Sequence, residues 1–164
     1  MSHVTLNVPA SILTNCASEA ARFTPLETGG IFLGRYDSDG ARVVEHMVGP
    51  GPNARHDRRW LEVDHEWQNA QIVALSTIGA SIEYLGEWHS HPAAMHGTLS
   101  TTDERTLLKL SRFKLLRCSD PIMLIAFPTA DNWDFAGWRL NHQKRAWQLL
   151  TPWVWPAQIH VNAG

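Results

Sequence analysis

The apolar positions of this chain repeat with two periods, and the two alternate along its length. Val4–Val8 alternates apolar and polar, the period of a half-buried strand. Pro9 suits the first position of a helix, and Leu13, Cys16, Ala20 and Phe23 recur at helical spacing, so an amphipathic helix is predicted over 9–22, ended by Pro25. Ile31–Tyr36 and Arg42–Val48 read as two strands joined by the turn Asp37-Ser38-Asp39-Gly40, a hairpin. Gly49-Pro50-Gly51-Pro52-Asn53 is a loop, because two prolines and two glycines exclude regular structure. Trp67, Ala70, Ala74 and Ile78 form one stripe of a second helix, 64–79, with Asp64 as N-cap.

Tyr84–His91 is a strand that stops at Pro92, and 93–99 is a loop. A third helix runs from Ser100 to about Leu116, followed by a buried central strand at Pro121–Phe127. A turn at Asp131-Asn132 leads into a strand at Trp133–Leu140. The tail from Arg145 is extended or partly helical, confined to a sheet edge by Pro152 and Pro156. Helices and strands interleave without an internal repeat or linker. The expected class is mixed α/β, a mixed sheet flanked by helices, in a single domain over 1–164.

Composition narrows the function. A formal charge of -2 gives no concentrated basic face, so nucleic acid is not an expected partner, and Arg55–Arg59 reads as a solvated loop. No apolar run is long enough to cross a bilayer and no signal peptide is visible, which makes the cytoplasm the expected compartment. Cys16 and Cys118 lack metal-site spacing and read as small buried hydrophobes. The late tryptophans Trp133, Trp138, Trp147, Trp153 and Trp155 read as core and edge fillers. Trp60 and Trp88 are candidates for flanking a substrate groove.

The chemistry concentrates in two segments. In Trp88-His89-Ser90-His91-Pro92, residues i and i+2 of a strand share a face, so His89 and His91 point the same way. In Ser100-Thr101-Thr102-Asp103, the aspartate falls in the first turn of the next helix, and the short loop can return it to the strand's end. Two histidines and a carboxylate make a catalytic zinc set that leaves a fourth position for water. Such a water needs a proton acceptor and the leaving amine needs an acid, and Glu27, before Gly29-Gly30, is the candidate for both. Ser100 is placed to donate to an oxyanion. Each feature alone has an ordinary explanation. Ser-x-x-Asp is a capping box, Glu27 a surface carboxylate, and His3, His46, His56, His65, His96, His142 and His160 read as structural. The joint spacing is what points to chemistry.

That pattern, Glu27 with His89-Ser90-His91-Pro92 and Ser100-Thr101-Thr102-Asp103, resembles the JAMM motif of the JAB/MPN metalloproteases. The flanking Glu27–Gly34, Gly49–Ala54 and Tyr84–Trp88 resemble the prokaryotic JAB branch, over roughly residues 10–140. The resemblance implies a curved mixed sheet between helices, a fold related to that of the nucleoside deaminases, with one zinc ion per chain held by His89, His91 and Asp103. It implies Glu27 as general acid/base and Ser100 as the oxyanion donor. The implied reaction is hydrolysis of a peptide or isopeptide bond after the C-terminal glycine of a ubiquitin-like protein, and the implied partners are that protein, its conjugates and E1- or E2-like enzymes of the same operon. Small members of this kind resemble deconjugases of bacterial antiphage operons. Others are similar to peptidases that trim sulfur-carrier proteins, and some MPN domains are metal-free scaffolds. A zinc deaminase is set aside, since it requires H-x-E with P-C-x-x-C.

Overall fold

The computed structural model describes residues 4–78, 81–141 and 153–163. His3, His142, Trp147, Pro152 and the start of the tail lie outside the described residues. Among the described residues nine strands and three α-helices follow in order: β1 (Thr5–Pro9), α1 (Ala10–Phe23), β2 (Gly29–Tyr36), β3 (Arg42–Val48), β4 (Arg55–His56), β5 (Leu61–Glu62), α2 (His65–Ile78), β6 (Glu83–Ser90), α3 (Thr101–Arg112), β7 (Ile122–Pro128), β8 (Trp133–Leu140) and β9 (Val154–Asn162). The mixed α/β class holds. The curved sheet goes further than expected and closes on itself in the order β1-β3-β2-β6-β7-β8-β9.

Closure comes from the tail. Ala157 and the residues before it in β9 pair antiparallel with β8, while Gln158–Asn162 pair parallel with β1. The tail is therefore not a simple edge strand. Pro156 still obeys the edge rule locally, because it lies in the half of β9 that has a neighbour on one side only among the described residues.

The strand period sorts the core into layers. In β7, Ile122, Leu124 and Ala126 join Phe32, Trp88 and the buried α1 residues Ile12, Cys16 and Ala20 in one cluster. The alternate residues Met123 and Ile125 pack with Leu107 of α3, Leu140 and Val154. Likewise Phe32 of β2 faces α1, whereas Ile31 and Leu33 face Trp67, Ile72 and Leu75 of α2. One sheet face thus holds α1, and the other carries α2 and α3 in separate clusters.

Several local expectations shift. α2 opens as predicted, with Asp64 accepting the Trp67 N–H at 3.1 Å. The third helix is shorter than 100–116: it ends at Arg112, and Lys114–Leu116 form a separate 3-10 turn. In the segment read as a solvated loop at 55–59, Arg55 pairs with Glu62 and His56 with Leu61 in a small hairpin, while 57–59 lie in its loop with Arg58 and Arg59 exposed. Alternation also decides the tryptophans. Trp88 lies between His89 and Glu87 and so points to the opposite face, into the α1 core, where it is 1% exposed; it does not flank a groove. Trp60, at the tip of the small hairpin, is 47% exposed.

Candidate metal centre and active site

The site lies on the sheet face that carries α2 and α3, at the C-terminal end of β6. The β6–α3–β7 segment is a crossover between parallel neighbours, so the end of β6 and the start of α3 meet at one rim of the sheet. His89 pairs across the ladder with Ile125 and with Gly29, and shares their face. The chain after β6 keeps to the sheet, since the His91 N–H donates to the Ala126 carbonyl at 2.8 Å. The loop beyond is moored from behind by Trp138, whose indole N–H donates to the Gly97 carbonyl at 2.6 Å.

Gly29 makes the approach possible. A Cβ there would collide with the Trp88 carbonyl oxygen and lie 2.7 Å from the His89 Cβ. Gly30 is held as tightly against the Val48 carbonyl of β3. The glycine pair therefore packs β2 close on both sides, as the sequence suggested.

Asp103 arrives through a complete capping box. Its N–H donates to Ser100 Oγ at 3.2 Å, and the Ser100 N–H donates to Asp103 Oδ2 at 2.6 Å. The capping residues and the candidate site residues are thus the same atoms. The carboxylate is fixed in the first helical turn, where the helix dipole favours negative charge.

The three candidate ligands converge. His89 Nε2 and His91 Nε2 are 3.0 Å apart, His89 Nε2 is 3.2 Å from Asp103 Oδ1, and His91 Nε2 is 3.4 Å from Asp103 Oδ2. Among the described residues this is the one group of three or more such side chains able to hold a metal ion. A tetrahedral ion with ligand bonds of about 2.0–2.1 Å separates its ligand atoms by about 3.3 Å, so the triangle fits such an ion. The chemistry of the donors agrees: two imidazoles and one carboxylate suit a borderline divalent metal, and three protein donors leave a position open. His91 is also hydrogen-bonded to the Thr98 backbone, which fixes the ring with Nε2 toward the cluster.

In the metal-free site the candidate ligands shift one another's ionisation. Burial alone would raise the Asp103 pKa, but the hydrogen bonds of His89, His91 and Ser100 hold it well below the usual carboxylate range. Burial alone would lower His91, but the bond and charge of Asp103, with the charge of Glu27, raise it.

Glu27 faces this group from β2's leading edge. The β2–β6 register pairs Gly29 with His89; one step back the Thr28 N–H donates to Ser90 Oγ at 3.0 Å, and the Ser90 N–H donates to the Thr28 carbonyl at 2.8 Å. Continued one step further, the register sets Glu27 opposite His91. Burial pushes the Glu27 carboxyl up to about 7; His91 pulls it down, and Asp103 and Asp57 push it up. A carboxyl half-ionised near neutrality is suited to proton transfer in both directions. Ser100 is exposed, and its Oγ accepts from the Asp103 N–H.

All five residues singled out from the sequence, Glu27, His89, His91, Ser100 and Asp103, are therefore brought to one place. Two neighbours were missed. Glu87 shares the face of His89, and burial raises its carboxyl to about 7, with Asp103 adding to the shift. Alternation along β6 is the signal that finds it. The other neighbour is the 55–62 hairpin. His56 Nδ1 is 2.9 Å from the Glu27 carbonyl oxygen, and the Glu27 N–H donates to the Asp57 carbonyl at 2.7 Å. No spacing rule reveals this contact.

Comparison with known proteins gives the family. The family model for prokaryotic homologs of the JAB domain matches residues 9–155, and the chain belongs to that family. It is 30% identical over 140 residues to a protein of Sinorhizobium fredii named Probable metalloprotease y4qB, covering 85% of each chain. The fold is similar to that of a Desulfitobacterium hafniense protein solved in solution, with a TM-score of 0.71 and 18% identity over 97% of this chain and 94% of that one. No described helix is long and apolar enough to cross a membrane.

Proposed function

We propose that this protein is a zinc-dependent peptidase or isopeptidase that cuts after the C-terminal glycine of a ubiquitin-like protein. Family membership and the His-His-Asp group support a metal-dependent hydrolase of the metalloprotease kind. The observation that carries the reading is the triangle of His89 Nε2, His91 Nε2 and Asp103 carboxylate oxygens, with the raised Glu27 carboxyl opposite His91.

His89, His91 and Asp103 would hold one zinc ion. When bound, such an ion acidifies a coordinated water to a pKa of about 7 and polarises a carbonyl. Glu27 takes a proton from the attacking water and returns one to the departing amine nitrogen, so the carboxyl ends the cycle in its starting state. The Ser100 hydroxyl donates to the substrate carbonyl oxygen as that oxygen gains charge.

The substrate reading rests on the JAMM resemblance and has support in the fold. Among the described residues the small β4–β5 sheet has two strands, and it adjoins Glu27. Its outer backbone edge suits an extended tail added as a further strand. The expected partners are a ubiquitin-like protein, its conjugates and the E1- or E2-like enzymes that make them, in the cytoplasm.

The test is cleavage of a fluorogenic amide attached to a Gly-Gly tail, on a short peptide and on ubiquitin, by zinc-loaded protein. The reading expects release of the amine, abolished by a chelator and restored by zinc. Zinc-loaded protein with no amidase activity on either probe would contradict it.

A further inference from the structure

We propose that His56 is a positioning residue for Glu27, setting the place of its carboxylate by gripping its backbone from the β4–β5 hairpin. The inference rests on the reading of Glu27 as the proton carrier.

Glu27 lies in the short connection between α1 and β2, outside any ladder. Both of its backbone groups nevertheless have partners, and both partners lie in one distant hairpin. Its N–H donates to the Asp57 carbonyl at 2.7 Å. Its carbonyl oxygen is 2.9 Å from His56 Nδ1, and since a carbonyl only accepts, that nitrogen carries the hydrogen. The His56 ring is held in turn: it stacks on Phe23, the last residue of α1, with centroids 3.9 Å apart and planes 18° from parallel. The hairpin is closed by the Asp57 N–H to the Trp60 carbonyl at 3.0 Å.

The next residue, Thr28, is tied to Ser90 between the two histidines. Glu27 is thus referenced on one side to the metal-ligand strand and on the other to His56 and Asp57. A reacting group must be aligned closely, and a displacement of about 1 Å can cost about 10²-fold in rate. The hairpin carries exposed Trp60 at its tip. Contact of a substrate with the hairpin would therefore bear on the alignment of Glu27.

Three variants test this, one of them also in a Glu27→Ala background. His56→Phe keeps the ring on Phe23 and removes the donor, and His56→Leu removes the donor in a smaller side chain. His56→Asn supplies an N–H close to the Nδ1 position. With the Gly-Gly amide probe and zinc-loaded protein, the inference expects kcat to fall at least tenfold in His56→Phe and His56→Leu. KM and bound zinc should stay unchanged, and His56→Asn should recover most of the loss. In a Glu27→Ala background, His56→Phe should have no further effect. A second readout is independent of turnover: the carbonyl 13C shift of Glu27 in metal-free protein should move in His56→Phe and His56→Leu, because its hydrogen-bond donor is lost, and should return toward the wild-type value in His56→Asn. Wild-type kcat and a wild-type Glu27 carbonyl shift in both donorless variants would overturn the inference, as would an equal loss in the Glu27→Ala background. A Glu27→Ala protein as active as wild type is a different signature. It would overturn the proton-carrier reading itself, and this inference with it.

Discussion

Gly29 lies directly across the β2–β6 ladder from His89, so close that a methyl group on Gly29 would sit 2.7 Å from the His89 Cβ. The residue that positions one candidate metal ligand is thus one with no side chain. Gly29→Ala must move either the β6 backbone or the imidazole. Forced overpacking of this kind costs about 1–3 kcal/mol, and here the displaced group is a ligand. The expected outcome is a lower Tm together with a weakened metal affinity, measured by zinc titration with a competing chelator. An unchanged affinity would show that His89 tolerates the displacement.

Ser100 has two roles that separate by experiment. As N-cap of α3 it satisfies the Asp103 N–H, and Ser100→Ala should cost about 1 kcal/mol in stability. As oxyanion donor its loss should cost about 10²–10³ in kcat. Ser100→Asp preserves a capping acceptor without a hydroxyl, so it should regain stability and leave kcat low. Recovery of kcat in Ser100→Asp would assign the serine to capping alone.

Burial raises the Glu27 carboxyl to about 7 in the metal-free protein, against an ordinary value of 4.5. Between those two values the folded state binds more protons than the unfolded one, so this group makes stability fall as pH rises from about 4.5 to about 7. Glu27→Gln removes that dependence. The variant should be more stable than wild type at pH 8 in metal-free form, and the gain should shrink toward pH 5, as read by denaturant unfolding at each pH. The same ionisation sets activity: a base must be deprotonated, so turnover should fall on the acid side.

The Asp103 carboxyl behaves in the opposite sense. Its pKa is held well below the ordinary range by His89, His91 and Ser100. Its contribution to stability is complete above the unfolded value and is lost as pH falls through the folded one. Asp103→Asn should flatten the acid limb of the stability profile of the metal-free protein and weaken metal binding. A variant with the acid limb of wild type would place the protonation that unfolds the protein elsewhere.

Much of this site is legible in the sequence, for physical reasons that differ by residue. His89 and His91 share a face because a strand repeats every two residues, and Asp103 is fixed because Ser-x-x-Asp caps a helix. Both rules are local and survive any tertiary context. Trp88 shows the same rule unused: the alternation that sends His89 outward sends Trp88 into the α1 core. What escaped was non-local. Closure of the sheet depends on Gln158–Asn162 finding β1 from the far end of the chain. The grip of His56 and Asp57 on Glu27 joins residues about thirty positions apart and takes hold of the Glu27 backbone, which carries no sequence signal. The 3-10 turn that shortens α3 follows Phe113, an apolar residue that a helical period alone absorbs into the helix.

The central claim, that His89, His91 and Asp103 together hold one divalent ion, is tested most directly by metal analysis of the purified protein beside Asp103→Ala and His91→Ala. The account predicts close to one zinc per wild-type chain after zinc loading and removal of excess, and little in either variant. Wild-type protein that retains no zinc, or variants that retain as much as wild type, would contradict it.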